Sequence, residues 1–342
     1  MQKSAHLVGS VPLASAEDVF RAAAGTLSDA LKRLPDGETG PRAMWVGWQV
    51  PLFAAQDTFE QFVVSGLPQF RVRAGADVGQ VHFGELGYAK AATTSYQIFA
   101  MLKTAGLIKQ DVRFQVSLPT PRATMGGLLP DEADQQVLEP LYREALIREL
   151  HEIADRIPHA ELAIQWDVAL EFAAMEGVAL LSGNAPPRAG RTPVSEVATS
   201  LSALADVVPP NVELGFHFCY GDVAHRHFIQ PKDTGLMVEL ATAFLPEVDR
   251  RVQWLHLPVP VDRDDAEYFR PLGSLPRAHF DELYLGLLHI SDGVQGALRR
   301  IDAARALAGD FGVATECGFG RRRPETVPAL LALHREVIDM AA

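Results

Sequence analysis

The chain has 342 residues, 48% of them hydrophobic and 22% charged, the balance of one large or two ordinary globular domains rather than of a disordered chain or a coiled coil. Lys plus Arg number 31 and Asp plus Glu 43, for a net charge of −12, which sets the overall field against phosphate backbones and against general nucleic-acid binding. No stretch reaches the roughly 18–20 apolar residues that cross a bilayer, no apolar signal core opens the chain, and the two cysteines, Cys219 and Cys317, make no disulfide framework. The expectation is a cytoplasmic protein without a membrane or nucleic-acid partner.

Short apolar runs alternate with amphipathic helical patterns along the whole chain. A strand at 6–12 leads to a helix at 16–31. Residues 33–75 read as an insertion in an early βα loop. It opens on a segment dense in turn formers and charges, Arg33 to Arg42, followed by Trp45 and Trp48. One strand is not obvious, and 78–83 is the candidate for it. Strands then follow at 112–119 and 162–170, with a helix at 131–157 between them. A Pro/Gly-rich loop spans 183–193 and a helix 194–207. The strands at 212–220, 251–259, 283–290 and 312–319 alternate with helices at 234–245, 293–307 and 325–340. Alternation of this kind implies a parallel sheet with helical crossovers. A (β/α)₈ TIM barrel needs about 250 residues, so 1–342 fits one barrel domain with an early insertion. No G-x-G-x-x-G follows the first strand, which disfavours a doubly wound dinucleotide fold.

In a barrel, chemistry is built at the C-terminal ends of the strands. The polar groups there are Ser10, Gln165 with Asp167, His217 with Cys219, His256, His289, and Glu316 with Cys317. His217 and Cys219 stand two apart in a strand and share a face. Cys317 ends the last strand, so a barrel can bring the three together. One imidazole and two thiolates suit Zn²⁺, and three protein ligands with an open fourth position mark a catalytic zinc. The alternative is packing, since free Cys is among the most buried residue types.

These segments resemble the catalytic domain of cobalamin-independent methionine synthase, within the superfamily that includes uroporphyrinogen decarboxylase. Val8-Gly9-Ser10-Val11-Pro12 is similar to the family's Gly-Ser-x-Pro turn. Ile164-Gln165-Trp166-Asp167 is similar to its I-Q-x-D segment, and His217-Phe218-Cys219-Tyr220 to its H-x-C-Y motif. Glu316-Cys317-Gly318 with Arg321-Arg322 is similar to its D-C-G-x-x-x-R segment. The order is kept over most of the chain. The resemblance implies a barrel with zinc at its mouth, held by His217, Cys219 and Cys317, and transfer of a methyl or alkyl group from a donor to a small thiol. It also implies that Asp167 takes a substrate amine and that the Gly9–Ser10 turn holds a carboxylate.

The departures are specific. The family's fourth ligand is a Glu, and His256 stands at that position, a candidate metal ligand and catalytic group. Val168-Ala169 replaces the family's Glu-Pro. The extra N-terminal half of full-length methionine synthases has no counterpart here, which puts folate and homocysteine in question; shorter members use other donors or thiols, including coenzyme M. Asp36 and Glu38 are candidates to face substrate, against a plain Asp-Gly turn. Arg321, in the run Arg321-Arg322-Arg323, suits an anion at the rim, against a solvated basic run. No nucleophile elbow or P-loop appears. Two other readings stay open: a metal-free lyase of the uroporphyrinogen decarboxylase type, and a metal-binding barrel without catalysis.

Overall fold

In the computed structural model, which describes residues 2–178, 190–221 and 226–341, the apolar runs are strands buried on both faces, as parallel strands under helices must be. In chain order the strands are β1 (Arg33–Pro35), β2 (Phe59–Val64), β3 (Leu67–Val72), β4 (Arg113–Pro119), β5 (Leu162–Val168), β6 (Glu213–Phe218), β7 (Val252–Pro258), β8 (Phe280–Leu288) and β9 (Gly312–Thr315). The helices are α1 (Ala16–Leu27), α2 (Val50–Ala54), α3 (Tyr88–Thr104), α4 (Pro121–Leu128), α5 (Glu132–Arg156), α6 (Leu170–Glu176), α7 (Val194–Asp206), α8 (Gly235–Phe244), α9 (Ala266–Phe269), α10 (Gly293–Ala308) and α11 (Val327–Ala341). Strands β2 and β3 form an antiparallel hairpin; the other seven form one parallel sheet in the order β1-β4-β5-β6-β7-β8-β9. Of the Pro/Gly-rich stretch 183–193, residues 183–189 lie outside the described residues. Among the described residues, no helix is long and apolar enough to cross a membrane.

The sheet curls until its two edges flank the N-terminal segment. Ala5 bridges Leu31 on one side and Val313 on the other, both parallel. Ala5 N–H donates to Ala30 O at 2.9 Å and His6 N–H to Val313 O at 2.9 Å. This segment is the eighth stave of a (β/α)₈ barrel. Residues 6–12 make one isolated bridge, Ser10 to Gly37, rather than the continuous strand expected of them. Side-chain amides replace the missing ladder: Gln115 Nε2 donates to Leu7 O and Val8 O, and Gln165 Nε2 to Val8 O at 2.6 Å.

Residues 78–83 are not a barrel strand; they open on a short 3₁₀ turn, Val78–Gln80. The stave sought there is β1, at the start of the segment read as loop. Its three residues carry one aliphatic side chain, too little for an apolar run to show. Arg33 is buried in the barrel floor. Its guanidinium lies 4.3 Å over the Trp254 ring and donates to Glu213 at 2.5 Å and Glu282 at 2.8 Å. A buried cation is tolerable only when paired in this way.

Helix α3 was also hidden, because Thr93, Thr94 and Ser95 break its apolar pattern. In place, Thr93 and Thr94 hydroxyls donate to the carbonyls of Ala89 and Lys90. The N-terminus of α3 is capped from a distance. The Glu149 carboxylate of α5 accepts from the N–H groups of Leu86, Gly87 and Ala89, satisfying donors a helix start leaves open.

Trp254 fits because β6 carries a glycine beside it. A Cβ on Gly215 would stand 2.0 Å from the indole. Gly215→Ala should therefore destabilise the barrel by about 3 kcal/mol through overpacking, read as a lower urea midpoint at unchanged slope. An unchanged midpoint would contradict this packing.

Candidate functional site

Strand β6 delivers His217 near its end and Cys219 just beyond it, and the turn after β9 delivers Cys317. The ligand atoms of the three lie within 4.8 Å of one another. The two Sγ atoms are 3.9 Å apart and unbonded. Two thiolates about 2.3 Å from one tetrahedral zinc stand about 3.8 Å apart, so the pair has the span a shared metal requires. His217 Nε2 is buried and has no protein partner. A soft N, S, S donor set with an orphaned imidazole nitrogen fits zinc.

His256, expected as a fourth ligand, stands behind His217 on β7, its register partner. Both of its ring nitrogens are engaged: Nδ1 meets His217 Nδ1 at 2.7 Å and Nε2 meets the Thr315 carbonyl at 3.0 Å. Burial pushes His256 down to about 4. Burial, with His256 and His6 nearby, holds His217 well below the ordinary histidine value. Both rings are neutral at pH 7.

Asp167, at the end of β5, is the register partner of His217. Its carboxyl accepts from Gln165 Nε2 at 2.9 Å and from the Trp45 side chain. Burial, with Cys317 and Glu171 nearby, pushes it up to about 8. Glu38 is pushed up to about 8 as well, by burial first and by the Asp167 charge second. Arg42 and Arg321 oppose that shift without cancelling it. The two carboxyls titrate as a pair, and together they retain a proton at neutral pH.

The loop after β1 places Glu38 at a cost. Glu38 and Trp45 both adopt positive φ, 50° and 52°, where non-glycine residues are strained. Asp36 holds the loop. It accepts from Glu38 N–H, from both terminal nitrogens of Arg42 and from Ser95 Oγ. Asp36 is thus the anchor, and Glu38 is the carboxyl beside Asp167.

Ser10 Oγ accepts from Gly320 N–H at 3.2 Å, and Ser10 O accepts from Phe319 N–H. A Cβ on Gly318 would meet Ser10 Oγ at 2.3 Å, so the close approach of Ser10 to the turn after β9 needs a glycine there. Arg321 is exposed at the rim, close enough to act on Glu38. His289 lies outside the cluster of His217, Cys219 and Cys317. Its Nε2 donates to Val259 O at 2.8 Å and its Nδ1 faces Glu316 at 3.5 Å. His227 also reaches Glu316, Nε2 to Oε1 at 3.1 Å. No local pattern marks His227 in the sequence.

No family model and no curated protein matches this sequence. Solved structures do. A B12-independent methionine synthase from Shewanella sp. W3-18-1, solved with selenomethionine, aligns over 99% of this chain and 97% of its own, with TM-score 0.60 and 11% identity. A methyltransferase from Methanosarcina mazei aligns over 96% of this chain and 94% of its own, with TM-score 0.50 and 15% identity. At these identities the likeness is one of fold.

The carboxyl pair has a pH signature. Both groups are raised above their unfolded values, so the folded state holds extra protons between about pH 4 and 8. Their contribution is complete below pH 4 and lost as pH rises toward 8. The melting temperature should fall over that range, and Glu38→Gln should flatten the fall. An equally steep fall in the variant would refute the coupling.

Proposed function

We propose that the protein is a zinc-dependent transferase that moves a methyl or other alkyl group from a donor to a small thiol. The convergence of His217, Cys219 and Cys317, with the orphaned His217 Nε2, carries this reading. The fold shared with a methionine synthase and a methyltransferase supports it. Bound by those three side chains, zinc would lower the pKa of a substrate thiol, ordinarily about 8.5, so that its proton is released to solvent and the thiolate is held.

The chain's own residues do the rest. The sulfur lone pair forms the new S–C bond while the bond from that carbon to the donor breaks, and the leaving group takes the bonding pair. Asp167 and Glu38 bind the polar end of the thiol substrate. A cationic amine supplies the positive charge that the pair lacks and releases their shared proton. The Ser10 hydroxyl, which accepts from Gly320 N–H, still has its own proton to donate to a substrate carboxylate. Arg321 offers a cation to an anionic group arriving at the rim. Two cysteine thiolates neutralise a divalent ion, so the site carries one negative charge fewer than a site that adds a carboxylate ligand. A less anionic site attracts an incoming thiolate more strongly.

Elemental analysis of the purified protein should find about one zinc per chain, as three-ligand catalytic sites hold. Cys219→Ser should lose that metal to a chelator wash that leaves the parent loaded. A protein that stays zinc-free after reconstitution would overturn the proposal.

A further inference from the structure

We infer that His256 is a positioning residue that fixes the proton on His217 and leaves the fourth metal position free of any protein ligand. The inference rests on the metal reading above and goes beyond it in assigning what stands where a fourth ligand was expected. A carbonyl oxygen has no proton, so His256 Nε2 must donate to Thr315 O. A neutral imidazole carries one N–H, so His256 Nδ1 is an acceptor. It faces His217 Nδ1 at 2.7 Å, and that contact is a hydrogen bond only if His217 Nδ1 carries the proton. His217 Nε2 is then a bare lone pair, buried and without a protein partner, and with Nδ1 taken it is the nitrogen that His217 has left to offer the group it forms with the two cysteines.

The chain Thr315 O, His256, His217 thus runs in one direction and ends at the metal group. Each link has the donor and acceptor the next one needs. His256 cannot ligate from this position without giving up one of its two hydrogen bonds, and it is fully buried among them. Groups that orient a metal-binding imidazole from behind change metal affinity by roughly 10–100-fold when removed. His256 does this with a second imidazole in place of the more usual carboxylate or carbonyl, and adds no charge. The position left open is the one the substrate sulfur needs.

Glutamine can reproduce both hydrogen bonds, its Oε1 accepting from His217 and its Nε2 donating to Thr315 O; leucine can reproduce neither. Zinc affinity is measured by chelator competition on the parent, His256→Gln and His256→Leu. X-ray absorption on the zinc-loaded parent counts imidazole ligands without any substitution. We expect one imidazole and two sulfurs in the parent, affinity in His256→Gln close to the parent's, and a loss of roughly 10–100-fold in His256→Leu. Two imidazoles in the parent, or one fewer in His256→Gln, would make His256 a ligand and overturn the inference. So would His256→Leu binding as tightly as the parent. A parent that takes up no zinc would instead remove the metal reading itself, and this inference with it.

Discussion

The barrel axis is closed to water, so every polar group inside it needs a protein partner. Gln165 supplies several at once. Its Oε1 accepts from His6 Nε2 at 2.8 Å and from Trp254 Nε1 at 3.3 Å. Its Nε2 donates to Val8 O and to Asp167 Oδ1. One amide therefore ties the N-terminal stave, the floor and the site carboxyl to a single orientation. An apolar residue here would leave the His6 imidazole and the Trp254 indole N–H without this acceptor, while Val8 O and Asp167 would keep only Gln115, Ser117 and Trp45. Unmet groups of that kind cost about 1–3 kcal/mol apiece, so the barrel's closure and its chemistry hang on the same side chain.

Around that amide the barrel has two electrical regimes. The floor is ionic and satisfied, with Arg33 stacked on Trp254 between Glu213 and Glu282. The mouth holds two uncharged imidazoles and a carboxyl pair that keeps a proton. The floor's charges add rigidity, because each has its counter-charge in place. The mouth's two carboxyls are poised, because burial holds them away from their ordinary ionised state. Strain follows the same division. Glu38 and Trp45 at positive φ are in the mouth, at an expected cost of about 1–3 kcal/mol each, and the Asp36 hub of Arg42 and Ser95 contacts offsets it.

Much of this was legible in the sequence because the signals were local. Six of the barrel strands are continuous apolar runs, and period two put His217 and Cys219 on one face. The structure brings those two to Cys317. What was not legible depends on distance or direction. β1 is too short to show a period. Helix α3 is started by Glu149, some sixty residues away, and Thr93 and Thr94 disguise its face. His256 could be placed at a strand end, but a sequence does not tell which way an imidazole turns or what lies behind it. Nor does it tell Asp36 from Glu38, two carboxyls of one turn of which one anchors and one faces the site.

The N-terminal stave has a consequence for how the chain matures. Gln2 and His6 pair with Phe311 and Val313, and Ser10 with Phe319 and Gly320. On the ribosome the stave made first meets Ala30 and Leu31 early, but its other neighbour arrives only some three hundred residues later. Until then both edges of the growing sheet are open to other strands, the exposure that makes slow, long-range topologies prone to aggregate. The same late residues bring Cys317, so the barrel closes and the donor set is completed in one event. A nascent chain therefore lacks the assembled cluster of His217, Cys219 and Cys317, which comes together only as the barrel closes.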